Sequence, residues 1–173
     1  STEWKILLID WLKICEGDWL SRLYLARLLD NDQSPESQSE IVNQCIQQEP
    51  IPGESLHWLG LWRLNSGDHK GAIEALAKLV DIRPLRHGSM LYLGEALIRA
   101  GNTKAAEVAF TRASTSNDPK FLILLAQRVY KNNYWEEAIK VLEKSLALKN
   151  DNLKSLHMLA EIHWSSYQLS EAE

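Results

Sequence analysis

A histidine and a carboxylate one helical turn apart can hold a metal ion or relay a proton. His157 and Glu161 stand at i and i+4, with His163 close by. Zinc sites take three or four such ligands, and on a helix His163 points about 120° away from His157. The spacing therefore fits a surface pair, and no metal is expected. The adjacent carboxylates Glu136 and Glu137 open a helical pattern, where negative charge complements the helix dipole, so they need no acid–base role. Cys15 and Cys45 are well separated in the chain, with no CxxC and no histidine at metal spacing. They read as free thiols in apolar stretches and imply no oxidising compartment. Phosphate-cradling glycine loops, GxSxG and HExxH are all absent. No catalytic residue and no cofactor follow, and the chain reads as non-enzymatic.

What remains is a question of the elements that carry these side chains. Of 173 residues, 45% are hydrophobic and 24% charged, the balance of a folded domain. Nineteen Lys and Arg against 23 Asp and Glu give a net charge of −4, which disfavours nucleic acid as a partner. Eight glycines and five prolines are too few for a sheet protein, whose turns recur about every 8–12 residues, and favour long helices. The run Ile6-Leu7-Leu8-Ile9 is closed by Asp10 and Lys13, far short of the roughly 20 residues of a membrane span, so no membrane insertion is expected. With no signal peptide in view, a cytoplasmic location is expected. The chain starts without Met and stops inside a helical pattern, and so reads as a fragment of a larger protein. Residues 1–52 hold 4 basic and 9 acidic side chains, and residues 53–173 hold 15 and 14. The acidic end is either a solvated face or a surface for a basic partner.

One period, of about 34 residues, organises the chain. Leu59-Gly60 returns one period later as Leu93-Gly94, Gly67 as Gly101, Ala72 as Ala106, and Leu125-Ala126 as Leu159-Ala160. Ala138 follows Ala106 slightly short of a period, and Ala172 follows Ala138 at a full one. Within each half-period the apolar residues recur at i, i+3 and i+4, one sticky stripe per helix. Gly60, Gly94, Ala126 and Ala160 are small where one helix must let the next approach, and Ala72, Ala106, Ala138 and Ala172 take that part on the second helix. Gly67-Asp68 and Gly101-Asn102 supply a left-handed turn residue that lets the second helix fold back, and Asn133 also tolerates that conformation. Pro84 and Pro119 punctuate the links.

Residues 19–52 are a worn copy in the same register. Ser21-Arg22-Leu23-Tyr24-Leu25-Ala26 parallels Ser89-Met90-Leu91-Tyr92-Leu93-Gly94, and Pro50 precedes Pro84 by one period. The small residue expected near Gln38 is missing. Before it, Trp4 to Cys15 forms a helix apolar on nearly all faces, an end helix or the remnant of another unit.

The bulky residue, Leu-Gly pair, alanine and closing proline at this period resemble the tetratricopeptide repeat, most clearly over residues 53–173. The resemblance implies an all-α, right-handed solenoid of antiparallel helix-turn-helix units. Its divisions are an apolar helix at 1–18, a degenerate repeat at 19–52, repeats at 53–86, 87–118 and 119–152, and a truncated repeat at 153–173.

In such arrays the first helices line a concave groove. The matching positions here are His57 with Leu61, Leu91 with Glu95, Ile123 with Gln127, and His157 with Glu161. Arg99, Lys120 and Lys131 add positive charge. Ile98, Tyr130 and Trp164 share one register position and would form an aromatic and aliphatic strip, unless a following helix covers Trp164. Trp58 and Trp62, at i and i+4, suit packing, and Trp135 suits a staple at the start of a second helix. The lysine and asparagine pattern with which some family members clamp a terminal carboxylate is absent. The implied function is a non-catalytic scaffold binding a peptide segment or partner domain in the groove. The alternative is the recruiting arm of a larger enzyme, such as a glycosyltransferase. Open solenoid ends also leave room for self-association.

Overall fold

The computed structural model describes Ile6, Leu7, Ile9, Asp10 and residues 53–172. The degenerate repeat at 19–52, both cysteines, Trp4 and Trp11 lie outside the described residues. Ile6, Leu7, Ile9 and Asp10 are helical, and their side chains are exposed. From residue 53 the described chain is all-α. Its helices are α1 (Gly53–Asn65), α2 (His69–Ile82), α3 (His87–Arg99), α4 (Thr103–Ala113), α5 (Pro119–Lys131), α6 (Trp135–Leu148) and α7 (Leu153–Ala172). They belong to two compact units, Ser1–Arg83 and Pro84–Glu173.

In the first unit α1 and α2 form a hairpin. Gly67 turns the chain with φ +86°, a conformation that side chains with a Cβ resist. Asp68 then caps α2, its Oδ1 accepting from the Gly71 amide at 2.9 Å. Arg63 at the end of α1 reaches across and donates to the Gly71 carbonyl at 3.0 Å. Leu56, Leu59 and Leu64 are buried on α1, as are Ala72, Leu76 and Leu79 on α2. A Cβ on Gly60 would stand 2.5 Å from Leu76 Cγ, so this glycine sets the closeness of the two helices.

In the second unit α3 pairs with α4 and α5 with α6, and α7 packs on α6. The same devices recur because the residue types recur. Gly101 turns at φ +80° and Asn133 at φ +66°. Asn102 caps α4 through the Ala105 amide, and Asp118 caps α5, whose first residue is Pro119. Gly94 lies under Phe110 so closely that a Cβ would collide with the ring. Ala106, Ala126 and Ala138 are fully buried at the matching positions. A polar chain ties the last three helices together: the Ser155 hydroxyl donates to Ser145 Oγ at 3.0 Å, and Ser145 donates to the Pro119 carbonyl at 3.2 Å.

One expectation fails at the carboxy-terminal end. The repeat pattern places Ala172 on a second helix, but α7 runs unbroken from Leu153 to Ala172. Tyr167 stands one period after Asn133, where earlier units have Gly or Asn. Without a residue that accepts positive φ, the chain stays helical. Ala160 differs from its counterparts and is exposed.

Candidate functional site

The candidate site lies in the second unit, between α5, the first helix of the α5–α6 hairpin, and the single long helix α7. α5 and α7 flank α6, and between them opens a groove of about 910 Å³. Gln127, Tyr130 and Lys131 line it from α5, and His157 and Glu161 from α7. Five of the residues expected from sequence therefore share one surface. His157 Nδ1 and Glu161 Oε1 stand 3.6 Å apart, both exposed. The i, i+4 pair is thus seated on the groove wall. Among the described residues no three His, Cys, Asp or Glu side chains converge as metal ligands would.

Sequence reasoning missed the remainder of the lining: Leu124 and Arg128 on α5, and Leu153, Lys154, Met158 and Ile162 on α7. A helical wheel centred on the 120, 123, 127 stripe could have found Leu124 and Arg128. Leu153 and Lys154 lie at the start of α7, where no apolar periodicity precedes them. A second hollow of about 530 Å³ continues the groove past the amino-terminal ends of both helices, bordered by Lys120, Lys149, Asn152 and Lys154. The two hollows share Leu124, Gln127 and Lys154.

Other expected groove residues are placed elsewhere. Leu91 is 1% exposed and belongs to the core, whereas Ile123, also buried, borders the second hollow. Glu95 is also buried, and its carboxylate accepts from Arg128 Nη1 at 3.3 Å. This charge-assisted bond joins α3 to α5 and answers the cost of burying the carboxylate. Neither Leu91 nor Glu95 presents a free side chain to a groove. Ile98 is half-buried and Arg99 exposed at the end of α3. In the first unit His57 and Leu61 are half-buried, and the His57 ring meets Trp58 edge-on at 5.9 Å. Trp164 stands on α7, one turn beyond Glu161, and is 64% exposed. Trp135 opens α6 and is about half exposed, followed by Glu136 and Glu137 in the first turn.

The phenol of Tyr134 has its pKa raised above the usual value by partial burial, and secondarily by the nearby carboxylates Glu107 and Glu137. Its ring packs edge-on against Phe110 at 6.0 Å. That places Tyr134 in the packing between α4 and α6 and away from the groove.

A model of the tetratricopeptide repeat family matches residues 54–85, the α1–α2 hairpin. Residues 54–85 thus match one tetratricopeptide repeat. No curated protein matches the chain. Its fold is similar to that of solved MamA structures. One MamA crystal structure is 16% identical, with a TM-score of 0.63 over 85% of this chain and 87% of that one. A second, also 16% identical, gives a TM-score of 0.64 over 87% and 83%. MamA from Desulfovibrio magneticus RS-1, from residue 41 to its end, is 19% identical with a TM-score of 0.60 over 90% of both chains. At these identities the likeness is one of fold. Among the described residues no helix is long and apolar enough to cross a membrane.

Proposed function

We propose that this tetratricopeptide-repeat chain is a non-catalytic scaffold that binds a peptide segment or partner domain of another protein in the α5–α7 groove. The observation that carries the reading is the pair of exposed leucines that line the groove, Leu124 from α5 and Leu153 from α7, with Trp164 64% exposed further along α7. Isolated exposed apolar residues are ordinary, but here Leu124 and Leu153 are exposed on the same groove. Apolar area rimmed by polar groups is what protein interfaces use. The groove is only partly enclosed, which suits a segment of another protein better than a small molecule enclosed on all sides. A cytoplasmic location and the absence of a nucleic-acid partner belong to this same reading.

The test is site-specific photo-crosslinking in extract of the source cells. A photo-reactive residue at Gln127 should give a discrete protein adduct, and the same residue at Val108, exposed on α4, should not. Adducts at Val108 alone, or the same adducts at both positions, would place binding off the groove.

A further inference from the structure

The face that α7 turns away from α6 is apolar. Ser155, Met158 and Ile162 are buried on one side of the helix, where Ser155 bonds Ser145 of α6. Leu153, Leu156, Ala160 and Trp164 lie on the opposite side, within an arc of about 80° on a helical wheel, and all four are exposed. Lys154 and Glu161, the charged residues of this stretch, fall off the stripe. A terminal helix of a solenoid needs a polar outer face to stay soluble alone, and this one lacks it.

The repeat explains the apolar character. Leu156 and Ala160 hold the positions of Met90 and Gly94 on α3 and of Leu122 and Ala126 on α5. Those four residues are buried, because the second helix of each hairpin covers them, as Phe110 of α4 covers Gly94. α7 runs unbroken to Ala172, so within the described residues no second helix of its own folds back on it, and Leu156 is left 47% exposed. The face is built to receive a helix.

It is also its own complement. Leu156 precedes Ala160 by four residues and Trp164 follows it by four. In an antiparallel pair of α7 helices crossing at Ala160, the Leu156 of each copy meets the Trp164 of the other. The small residue then sits where the two backbones come closest, as Gly60 and Gly94 do inside the hairpins. A patch that matches itself in this way is what a two-fold dimer requires. No charge on the second copy's stripe has to be stripped of water to form the contact.

We propose that α7 is a homodimerisation helix, two copies of the chain pairing antiparallel through Leu156, Ala160 and Trp164 across a two-fold axis at Ala160. A single helix pair is a small interface, so the dimer forms reversibly with concentration. On the wheel Trp164 lies between Ala160 and Glu161 and stands at the border of the dimer face and the groove. Leu156 and Ala160 line neither hollow, so the pairing is independent of what the α5–α7 groove binds.

The experiment is sedimentation velocity of the whole chain over a range of concentrations, with disulfide trapping to fix the register. A monomer–dimer equilibrium is expected, and Leu156→Glu should weaken it at least about tenfold by burying a charge in the apolar seam. In a Cys15→Ser/Cys45→Ser background, Ala160→Cys should oxidise to a covalent dimer. Leu156→Cys should not, because its two copies lie about 12 Å apart along an antiparallel pair. Should Leu156→Glu lose its helical circular dichroism, the trapping contrast between residues 160 and 156 decides alone. A chain that stays monomeric at every concentration overturns the proposal and leaves the face to a helix of another protein. A dimer that a folded Leu156→Glu variant keeps intact, or trapping at 156 in preference to 160, overturns it equally. Photo-crosslinking at Gln127 should be the same in Leu156→Glu as in the native chain, so the groove and the dimer stand or fall separately.

Discussion

The Glu95 carboxylate on α3 and the Arg128 guanidinium on α5 meet at 3.3 Å, and the Glu95 side chain is only 7% exposed while that of Arg128 is 42% exposed. The pair joins two successive hairpins through one buried charge and one that reaches water. Removing the partner of a buried charge costs more than the pair contributes, because the remaining ion is left unsolvated. Arg128→Met should therefore destabilise the protein by about 1–3 kcal/mol in urea unfolding. Glu95→Gln/Arg128→Met should recover most of that loss. If Arg128→Met alone is neutral, the bond contributes nothing to the joint.

Gly94 and Phe110 make the corresponding prediction for the α3–α4 hairpin. The ring fills the space that a side chain at residue 94 would need. Gly94→Val should cost more than about 1 kcal/mol through overpacking. Shrinking the opposing side chain with Phe110→Leu should return part of it, because the two sites share one volume. Additive losses in the double variant would mean that the two residues do not share that volume.

The turns and the tight crossings are legible in the sequence because their physics is local. Positive φ at Gly67, Gly101 and Asn133 restricts the residue type, so the requirement repeats visibly with the period. The groove is legible only in part, because exposure along a first helix depends on what packs beside it from a different repeat. Leu91, Ile123 and His157 hold the same repeat position, yet the first two are buried and the third is exposed. Glu95 and Gln127 also share a position, and only Glu95 is covered, by its contact with Arg128. The period identifies the inward face of each helix and is silent on which neighbour covers it. The continuous α7 has a different cause: a repeat count extrapolated from Ala138 to Ala172 takes no account of the missing turn residue at Tyr167.

Tyr134 makes stability sensitive to alkaline pH. Its folded pKa is raised by burial and by Glu107 and Glu137, so the folded state favours the protonated phenol. This contribution is intact below the unfolded value of about 10 and is lost as pH rises through the higher folded value. Thermal melts of the native chain should therefore fall more steeply above about pH 10 than those of Tyr134→Phe, which has no proton to lose. Parallel curves would remove Tyr134 as the source.

Asn133 tests the turn directly. At φ +66° its Cβ is tolerated but not free of strain. Asn133→Gly relieves that strain and adds freedom to the unfolded chain, so the two effects should nearly cancel, within about 0.5 kcal/mol. Asn133→Val, branched at Cβ, should cost more than about 1 kcal/mol. Equal melting temperatures for the valine and glycine variants would show that the hairpin turns by some other conformation.

Trp164 and Ile162 lie close together on α7 and separate binding from stability. Ile162 is 1% exposed and Trp164 is 64% exposed. Truncating a buried isoleucine removes its packing and leaves a cavity, so Ile162→Ala should cost about 2–4 kcal/mol. Trp164→Ala removes a much larger side chain, yet most of it faces water, so its cost should stay within about 0.5 kcal/mol. In a binding assay the order should invert. Trp164→Ala, fully folded, should weaken capture of a groove peptide by at least about tenfold, the loss expected for an aromatic anchor. Tyr130→Ala should act in the same direction from the opposite wall. A Trp164→Ala variant that melts several degrees lower would mean that the indole is part of the protein's own packing. One that melts normally and binds normally would take Trp164 out of the interface.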